Sequence, residues 1–206
     1  MKDKAILQHL RDLDRDENGF CLLVLGCSQK IYLIKGDEVK LRFPVAIGRG
    51  GLGKEKEGDK KTPVGDYHIK WMVSRKGPPK KNPDGQSSFV MDGETYSIGD
   101  TQLYFGQLEN ANLSEEALKI AQDEKLWTDA YGGEKAVVMA LDYPNEKDRK
   151  AGRTGSSIEI HASLPLAQTD LERYKGTLGC VALVPSHAGE IYEHVNPGTP
   201  VRVVAE

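Results

Sequence analysis

Short β-rich runs divided by turn residues constrain this chain more than any other feature. Three such runs, at 22–25, 31–35 and 39–47, are separated by turn residues at 26–29 and 36–38, which is typical of an antiparallel meander. Further runs lie at 66–73, 136–142, 157–161, 180–184 and 200–204. Since strands outnumber helices and no βαβ alternation occurs, we expect a mainly β fold, a β-rich α+β domain with peripheral helices.

Helical signals are few and lie outside these runs. Ile6, Leu7 and Leu10 recur at helical spacing and predict a helix over 2–13, so we expect a separate N-terminal helical segment at 1–19. The β domain then covers 20–206, with an insertion at about 74–133 that holds a basic, proline-rich loop at 74–86 and a helix from Asn112 to residue 126. Ser186 is the expected N-cap of a last helix that ends near residue 195.

Charge and hydropathy exclude several classes of partner. The 206 residues carry a net charge of −3 in mixed signs, whereas a nucleic-acid-binding domain displays a basic stripe. No run approaches the roughly 20 apolar residues that cross a bilayer, and residues 1–18 are too charged for a secretion signal. We expect no nucleic-acid partner and no membrane-spanning segment, and the oligomeric state stays open.

Most cysteines and histidines have structural interpretations. Cys21 and Cys27 fall in one predicted strand, roughly 20 Å apart against a disulfide limit of about 7 Å, so we expect two unpaired core residues. His187 and His194 lie too far apart on one predicted helix to share a zinc ion and are expected at the surface. His68 alternates within a strand and is expected to be structural. The sequence therefore predicts no metal site.

The segment at 48–54 (GRGGLGK) matches the glycine pattern of a phosphate-binding loop. Such a loop needs a helix directly after the glycines, because the helix N-terminus supplies the amides that hold phosphate. Glu55 replaces the required Ser or Thr, and Gly58 and Pro63 disfavour a helix. We expect a mobile hairpin loop and no nucleotide cofactor.

His161 and Cys180 each face away from the predicted core. In SIEIH, residues 157–161, the isoleucines take the core side, so His161 points to the opposite side. Val181 and Leu183 take the core side of the next strand, and Cys180 shares the other side with the small residue Ala182, which leaves room for a substrate. Spacing alone does not decide between a catalytic pair and a structural cysteine, which is the commoner case.

The turn before Cys180 has the composition that a nucleophile requires. In GTLGC, residues 176–180, Gly179 lets the backbone approach a substrate closely, and the amides around Cys180 can stabilise an oxyanion. A thiol attacks as the thiolate, and an adjacent imidazolium lowers its pKa from about 8.5. A thiolate–imidazolium pair of Cys180 with His161 is the resulting hypothesis.

Residues 140–162 (ALDYPNEKDRKAGRTGSSIEIHA) and 175–183 (KGTLGCVAL) resemble the L,D-transpeptidase catalytic domain of the YkuD type. That family places a histidine after an apolar strand and then a Ser/Thr-x-Gly-Cys block, which here fall on His161, Thr177, Gly179 and Cys180. Residues 43–48, 61–67 (KTPVGDY) and 198–203 also resemble the family. The similarity therefore covers most of 20–204.

Two departures concern the substrate contacts that the resemblance implies. Many members have His before the Gly-Cys pair and Arg two residues after the Cys, whereas this chain has Leu178 and Ala182. Ala162 also stands where Gly is frequent. Without that Arg, the site lacks a guanidinium that could bind a carboxylate through two hydrogen bonds. Arg153 is our candidate replacement. Tyr143 is a further candidate substrate contact.

The resemblance implies a β-sandwich or barrel enzyme that acts on peptidoglycan stem peptides. Cys180 would attack the third-residue carbonyl of a tetrapeptide stem and expel the terminal D-amino acid, with His161 moving the proton, before an acceptor amine takes the acyl group. No metal or organic cofactor is implied. The substrate lies in the cell envelope, periplasmic or extracytoplasmic, and the export signal is absent from this chain.

Two alternatives remain open from the sequence. An L,D-carboxypeptidase would use the same residues with water as the acceptor. A non-catalytic cell-wall-binding module would carry Cys180 only by chance.

Overall fold

The computed structural model describes residues 2–74, 77–80, 88–91, 94–97, 137–163, 166 and 176–206. The strands are β1 Phe20–Leu25, β2 Lys30–Lys35, β3 Glu38–Pro44, β4 Gly65–Ser74, β5 Gly77–Lys80, β6 Ser88–Met91, β7 Glu94–Ser97, β8 Val137–Leu141, β9 Glu159–Ala162, β10 Val181–Leu183 and β11 Pro200–Val204. The helices are α1 Lys2–Gln8, α2 Glu146–Lys150 and α3 Pro185–Tyr192.

One nine-stranded sheet dominates the fold, in the order β10-β9-β8-β4-β11-β1-β2-β3, with β5 added beside β4. Ala46, just beyond β3, exchanges two backbone hydrogen bonds of 2.9 Å with Ala182 in β10, so the end of the path meets its beginning. The predicted mainly β fold and the β1-β2-β3 meander are both confirmed. Two pairs are parallel, β1 with β11 and β9 with β10.

Strand β1 is buried on both faces, which its unbroken apolar sequence requires. Leu22 and Val24 belong to the main core enclosed by the sheet. The alternate residues Cys21 and Leu23 face outward into a second apolar cluster, where they meet Leu10 and other apolar residues of the N-terminal segment. Because side chains alternate along a strand, residues of this N-terminal segment cover the outer face of β1 in the described part of the chain.

Two predicted helix boundaries are wrong. Helix α1 ends at Gln8 and not at residue 13. Beyond this end, Arg202 Nη1 donates hydrogen bonds to the carbonyl oxygens of His9 and Arg11, each at 2.8 Å. Ser186 is not an N-cap, since α3 begins at Pro185 and Val184 precedes it without a side-chain cap. Proline suits the first helical position because its missing N–H has no intrahelical partner there.

Two further expectations are corrected in the β-rich regions. Cys27 is exposed, not a core residue, because β1 ends at Leu25 and the chain turns before it. The basic loop expected at 74–86 contains β5, which pairs with β4. The helix expected at 112–126 lies outside the described residues, so the extent of the insertion at 74–133 stays a prediction. Among the described residues, no helix has the length and apolar character needed to span a bilayer.

Candidate active site

Strands β9 and β10 bring the predicted nucleophile and base to one face of the sheet. Ile160 lies opposite Val181, and both belong to the main core, while His161 lies opposite Ala182. Residues that are opposite in register present their side chains on the same face. Cys180 directly precedes β10, so alternation places its side chain on the face of His161.

The turn that carries Cys180 is closed by the hydroxyl of Thr177. Thr177 Oγ1 donates to the Cys180 carbonyl oxygen at 2.6 Å and accepts from the Gly179 amide at 3.0 Å. Gly179 has φ of +141°, and a side chain there would place Cβ only 2.9 Å from the Lys61 carbonyl oxygen. The predicted Gly179 is thus required both by its backbone conformation and by the chain packed against it.

The segment at 47–62 holds this turn from behind. Thr62 Oγ1 accepts from the Gly48 amide at 2.8 Å and donates to the Gly179 carbonyl oxygen at 2.9 Å. Thr177 adds two backbone bonds of 2.9 Å, donating to the Ile47 carbonyl and accepting from the Arg49 amide. Thr62, itself fully buried, therefore joins the glycine-rich segment to the residue before the nucleophile.

A buried ion pair stabilises the same segment. Lys54 Nζ lies 2.9 Å from Asp59 Oδ1, and their side chains are 4% and 8% exposed. Burial alone would raise the pKa of Asp59, but hydrogen bonds from the Lys54 ammonium and from backbone amides outweigh burial and hold that pKa well below its usual range. The segment that we expected to be a mobile hairpin loop therefore makes hydrogen bonds both within itself and to the nucleophile turn. As expected, no helix follows its glycines within 51–64.

The electrostatic surroundings of Cys180 favour the neutral thiol. Cys180 is half-buried, and its Sγ lies 3.4 Å from the Ser157 carbonyl oxygen, to which the thiol donates. Burial, reinforced by the negative charge of Glu159, raises the pKa of Cys180 to about 12, and the nearby Lys54 offsets this only in part. Burial likewise lowers the pKa of His161. Both shifts favour a neutral thiol and a neutral imidazole over the thiolate–imidazolium pair expected from the sequence, and that pair stays a prediction.

The tautomer of His161 follows from its backbone contact. His161 Nδ1 lies 2.8 Å from the Ala162 carbonyl oxygen. A carbonyl oxygen can only accept, so in this contact Nδ1 carries the hydrogen and Nε2 keeps its lone pair. Nε2 is thus the nitrogen that is able to receive a proton.

Glu159 is a site residue that our sequence analysis did not select. It lies on the same strand face as His161, is 8% exposed, and its charge acts on Cys180. The alternation in SIEIH already places it beside His161. The sequence held no sign that this carboxylate would be buried near the thiol, because that depends on the pairing of β9 with β10.

The remaining predicted substrate contacts fall into different environments. Leu178 is 66% exposed at the nucleophile turn, whereas Ala182 is fully buried against Ala46 and Leu166. Ala182 therefore packs in an apolar cluster in the described part of the chain, and its place beside a substrate stays a prediction.

Arg153 and Tyr143 are both engaged within the protein. Arg153 Nη1 lies 2.8 Å from Asp148 Oδ1, a carboxylate whose side chain is 3% exposed. The buried Tyr143 hydroxyl donates to the Thr154 carbonyl oxygen at 3.1 Å, and burial raises the pKa of Tyr143 to about 12. Neither residue makes a described contact with Cys180, and their assignment to the substrate stays a prediction.

The other histidines considered in the sequence have different surroundings. His68 is exposed and 3.6 Å from Asp142, and His194 is exposed as expected. His187, also expected at the surface, is instead half-buried and stacks on Phe43. In the part of the chain that the structure describes, no group of three or more His, Cys, Asp or Glu residues is placed to hold a metal ion.

A family model for the L,D-transpeptidase catalytic domain, YkuD, matches residues 24–203. That span contains the nucleophile turn, His161 and the segment at 47–62, and it covers most of the chain. The protein therefore belongs to the L,D-transpeptidase catalytic domain family, whose members act on peptidoglycan. Comparison with curated protein sequences gives no match.

Solved structures of similar fold come from several bacteria. Bd1075 of Bdellovibrio bacteriovorus is 18% identical with a TM-score of 0.51, over 91% of this chain and 48% of that one. Pgp2 of Campylobacter jejuni, a helical cell shape determining protein, is 19% identical with a TM-score of 0.48, over 99% and 55%. The catalytic domain of the Enterococcus faecium L,D-transpeptidase is 18% identical with a TM-score of 0.46, over 92% and 99%. The chain thus spans about half the length of the first two.

Proposed function

We propose that this protein is a peptidoglycan L,D-transpeptidase with Cys180 as nucleophile and His161 as base. The observation that carries the proposal is the placement of both residues on one face of two neighbouring parallel strands. Membership of the family supports the same assignment. The substrate is a tetrapeptide stem, and the reacting atom is its third-residue carbonyl carbon.

The first half-reaction forms a thioester and releases an amino acid. As the substrate carbonyl approaches, the Cys180 thiol gives its proton to His161 Nε2, and Sγ bonds to the carbonyl carbon. The tetrahedral intermediate then collapses, the amide C–N bond breaks, and His161 returns the proton to the departing amine. The terminal D-amino acid leaves, and the tripeptide acyl group remains on Sγ.

The second half-reaction restores the enzyme. The side-chain amine of a second stem attacks the thioester, His161 takes the amine proton, and Sγ leaves as thiolate before regaining that proton. An amide cross-link results. Because burial favours neutral Cys180 and neutral His161, we expect charge separation during each attack, so groups that stabilise the separated charges contribute to kcat.

The candidate oxyanion donor is the backbone amide of Cys180. The Gly179 amide is taken by Thr177 Oγ1, so it is not available to a substrate oxygen. Thr62 and Thr177 orient the peptide units on either side of Gly179. Oxyanion donors act through fixed direction in a water-poor site, and these two hydroxyl groups supply that fixation.

One observation favours the alternative, an L,D-carboxypeptidase. Leu178 projects from the nucleophile turn with 66% of its side chain exposed, so the turn lies open to solvent beside the thioester. Water at about 55 M competes with any amine that is not held in place, and only a bound, oriented acceptor outcompetes it. A non-catalytic wall-binding module is the third possibility.

The wider assignment follows from the reaction. We propose residues 20–206 as the catalytic domain with an insertion at about 74–133, preceded by the N-terminal segment 1–19. Its partners are peptidoglycan stem peptides in the cell envelope, where the working protein would be located. The chemistry described needs no cofactor.

Incubation with purified tetrapeptide muropeptides, followed by mass spectrometry, tests the proposal. A cross-linked dimer with released D-alanine is expected for the transpeptidase. Tripeptide monomers with D-alanine but no dimer, even at millimolar substrate, would identify the carboxypeptidase. If the unmodified protein forms no more product than the Cys180→Ala protein, the non-catalytic wall-binding module is the remaining candidate function.

A further inference from the structure

A cavity of about 720 Å³ opens beside the candidate active site. Its walls come from the first half of β4, the end of β8 with the residues that follow it, helix α2, and residues 156–158. A volume of this size is typical of a site for a small organic ligand or a short peptide segment.

The cavity shares a wall with the nucleophile. Ser157 and Ile158 line it, and the Ser157 carbonyl oxygen is the group that accepts from the Cys180 thiol. On the sheet, Ala140 lines the cavity and lies opposite Glu159, the residue whose charge raises the pKa of Cys180. Residues 157 and 158 therefore separate the cavity from Sγ by the width of one backbone segment.

The acidic groups of the cavity wall already have partners in the protein. Asp66 makes a two-point ion pair with Arg202, at 2.5 and 2.8 Å. Asp142 lies 3.6 Å from His68, and Glu146 lies 2.6 Å from Lys150. Asp66 and Glu146 are thereby each paired with a cation before any ligand binds.

Two ammonium groups on the wall have no such partner among the residues that the structure describes. Lys70 lies on β4 and Lys147 on α2, and both line the cavity. Within the described residues neither makes an ion pair, although Lys147 contributes to lowering the pKa of Asp66. With Arg149 also on the wall and donating to the Pro144 carbonyl oxygen, the cavity presents net positive charge to a ligand.

We propose that this cavity binds the carboxylate groups of one peptidoglycan stem peptide, held by Lys70 and Lys147. This inference rests on the proposed function and adds the place where the substrate is recognised. Lysine ammonium groups recognise carboxylates through charge-assisted hydrogen bonds. The two lysines come from different elements, so together they select a ligand that reaches both walls of the cavity.

Equilibrium binding in the inactive Cys180→Ala background tests the cavity apart from turnover. Calorimetry with tetrapeptide muropeptide compares that protein with versions that also carry Lys70→Met and Lys147→Met, or the control Lys30→Met on β2, which is exposed and does not line the cavity. We expect Kd to rise at least about tenfold with both cavity lysines replaced, and to stay within about twofold for the control. An unchanged Kd after loss of both cavity lysines would overturn the proposal.

The ligand chemistry has its own test. Amidation of the stem carboxylates should weaken binding to the Cys180→Ala protein about as much as loss of the two lysines, and should add little when both lysines are already absent. If amidation weakens binding equally with and without the lysines, they do not hold the carboxylates. If binding depends on the lysines but the unmodified protein shows no turnover, the cavity remains the proposed binding site and the proposed enzymatic activity is rejected.

Discussion

The residues packed behind the nucleophile turn and the charged residues that line the neighbouring cavity differ in burial. Behind Cys180, Thr62, Thr177 and the Lys54–Asp59 pair are buried and make several short hydrogen bonds each. At the rim, Lys70, Lys147 and their neighbours are exposed, and their charges reach into solvent. In the proposed enzyme, the chemistry would depend on groups that are fixed in one geometry, whereas recognition would depend on exposed lysine side chains that can change conformation. Changes in the first region should act on kcat and changes in the second on KM.

Cys180→Ala should have the largest effect, with turnover reduced by about 10⁴-fold or more because no other group forms the thioester. The melting temperature should change little, since Cys180 is only half-buried. Cys21→Ala is the matched control: Cys21 is fully buried in the outer cluster, so we expect a loss of stability of about 1 kcal/mol with turnover retained. Residual activity of more than a few per cent in Cys180→Ala would remove Cys180 from the mechanism.

Thr62→Val should lower kcat by roughly 10- to 100-fold and leave KM within about threefold. It keeps the shape of the side chain but leaves the Gly48 amide and the Gly179 carbonyl without their buried partner, and a shift in the nucleophile turn costs orientation of the reacting groups. Steady-state kinetics measures both constants.

Thr62→Ser is the matched control, because it keeps the hydroxyl and should recover most of kcat. If valine and serine variants behave alike, the hydroxyl does not position the turn. A rise in KM with unchanged kcat would break the proposed division between the two regions.

The charge of Glu159 should be visible in the pH dependence of Cys180 alkylation. Burial and Glu159 both raise the pKa of Cys180, so the thiolate fraction, and with it the rate of reaction with iodoacetamide, should be low near pH 7 and increase toward alkaline pH. Glu159→Gln removes the negative charge, lowers the pKa and should speed alkylation at pH 7 by about three- to tenfold. Fast alkylation well below pH 7 that disappears in His161→Ala would instead establish a thiolate–imidazolium pair at rest.

The smallest kinetic effect is expected for Arg153→Met. Its guanidinium pairs with the almost fully buried Asp148 carboxylate, so its loss should lower the free energy of unfolding by about 1–2 kcal/mol and change KM by less than about threefold. Denaturant unfolding and steady-state kinetics report the two quantities separately. A KM increase of tenfold or more with unchanged stability would return Arg153 to the role of a substrate contact.

The sequence predicted the local features of the site better than its connections. The glycine at position 179, the outward register of His161 and the strands around them were all predicted from local pattern, which the structure reproduces within a few residues. Ala182 was expected to leave open space, yet Leu166 packs on it. Leu166 lies in the chain segment between β9 and β10. The alternation of residues within a strand contains no information about whether a residue outside that strand packs on Ala182.

Local sequence pattern predicted the strands β1–β4 and β8–β11, their inward and outward faces and the need for a glycine at position 179, but not β5, β6 or β7. Alternation and backbone freedom act within a few residues, so the pattern could not show that β9 pairs in parallel with β10, that Ala46 closes the sheet on Ala182, or that Thr62 holds Gly179. These depend on contacts between distant residues. The raised pKa of Cys180 also depends on the tertiary structure, because it follows from the burial and the charges that folding assembles around the thiol.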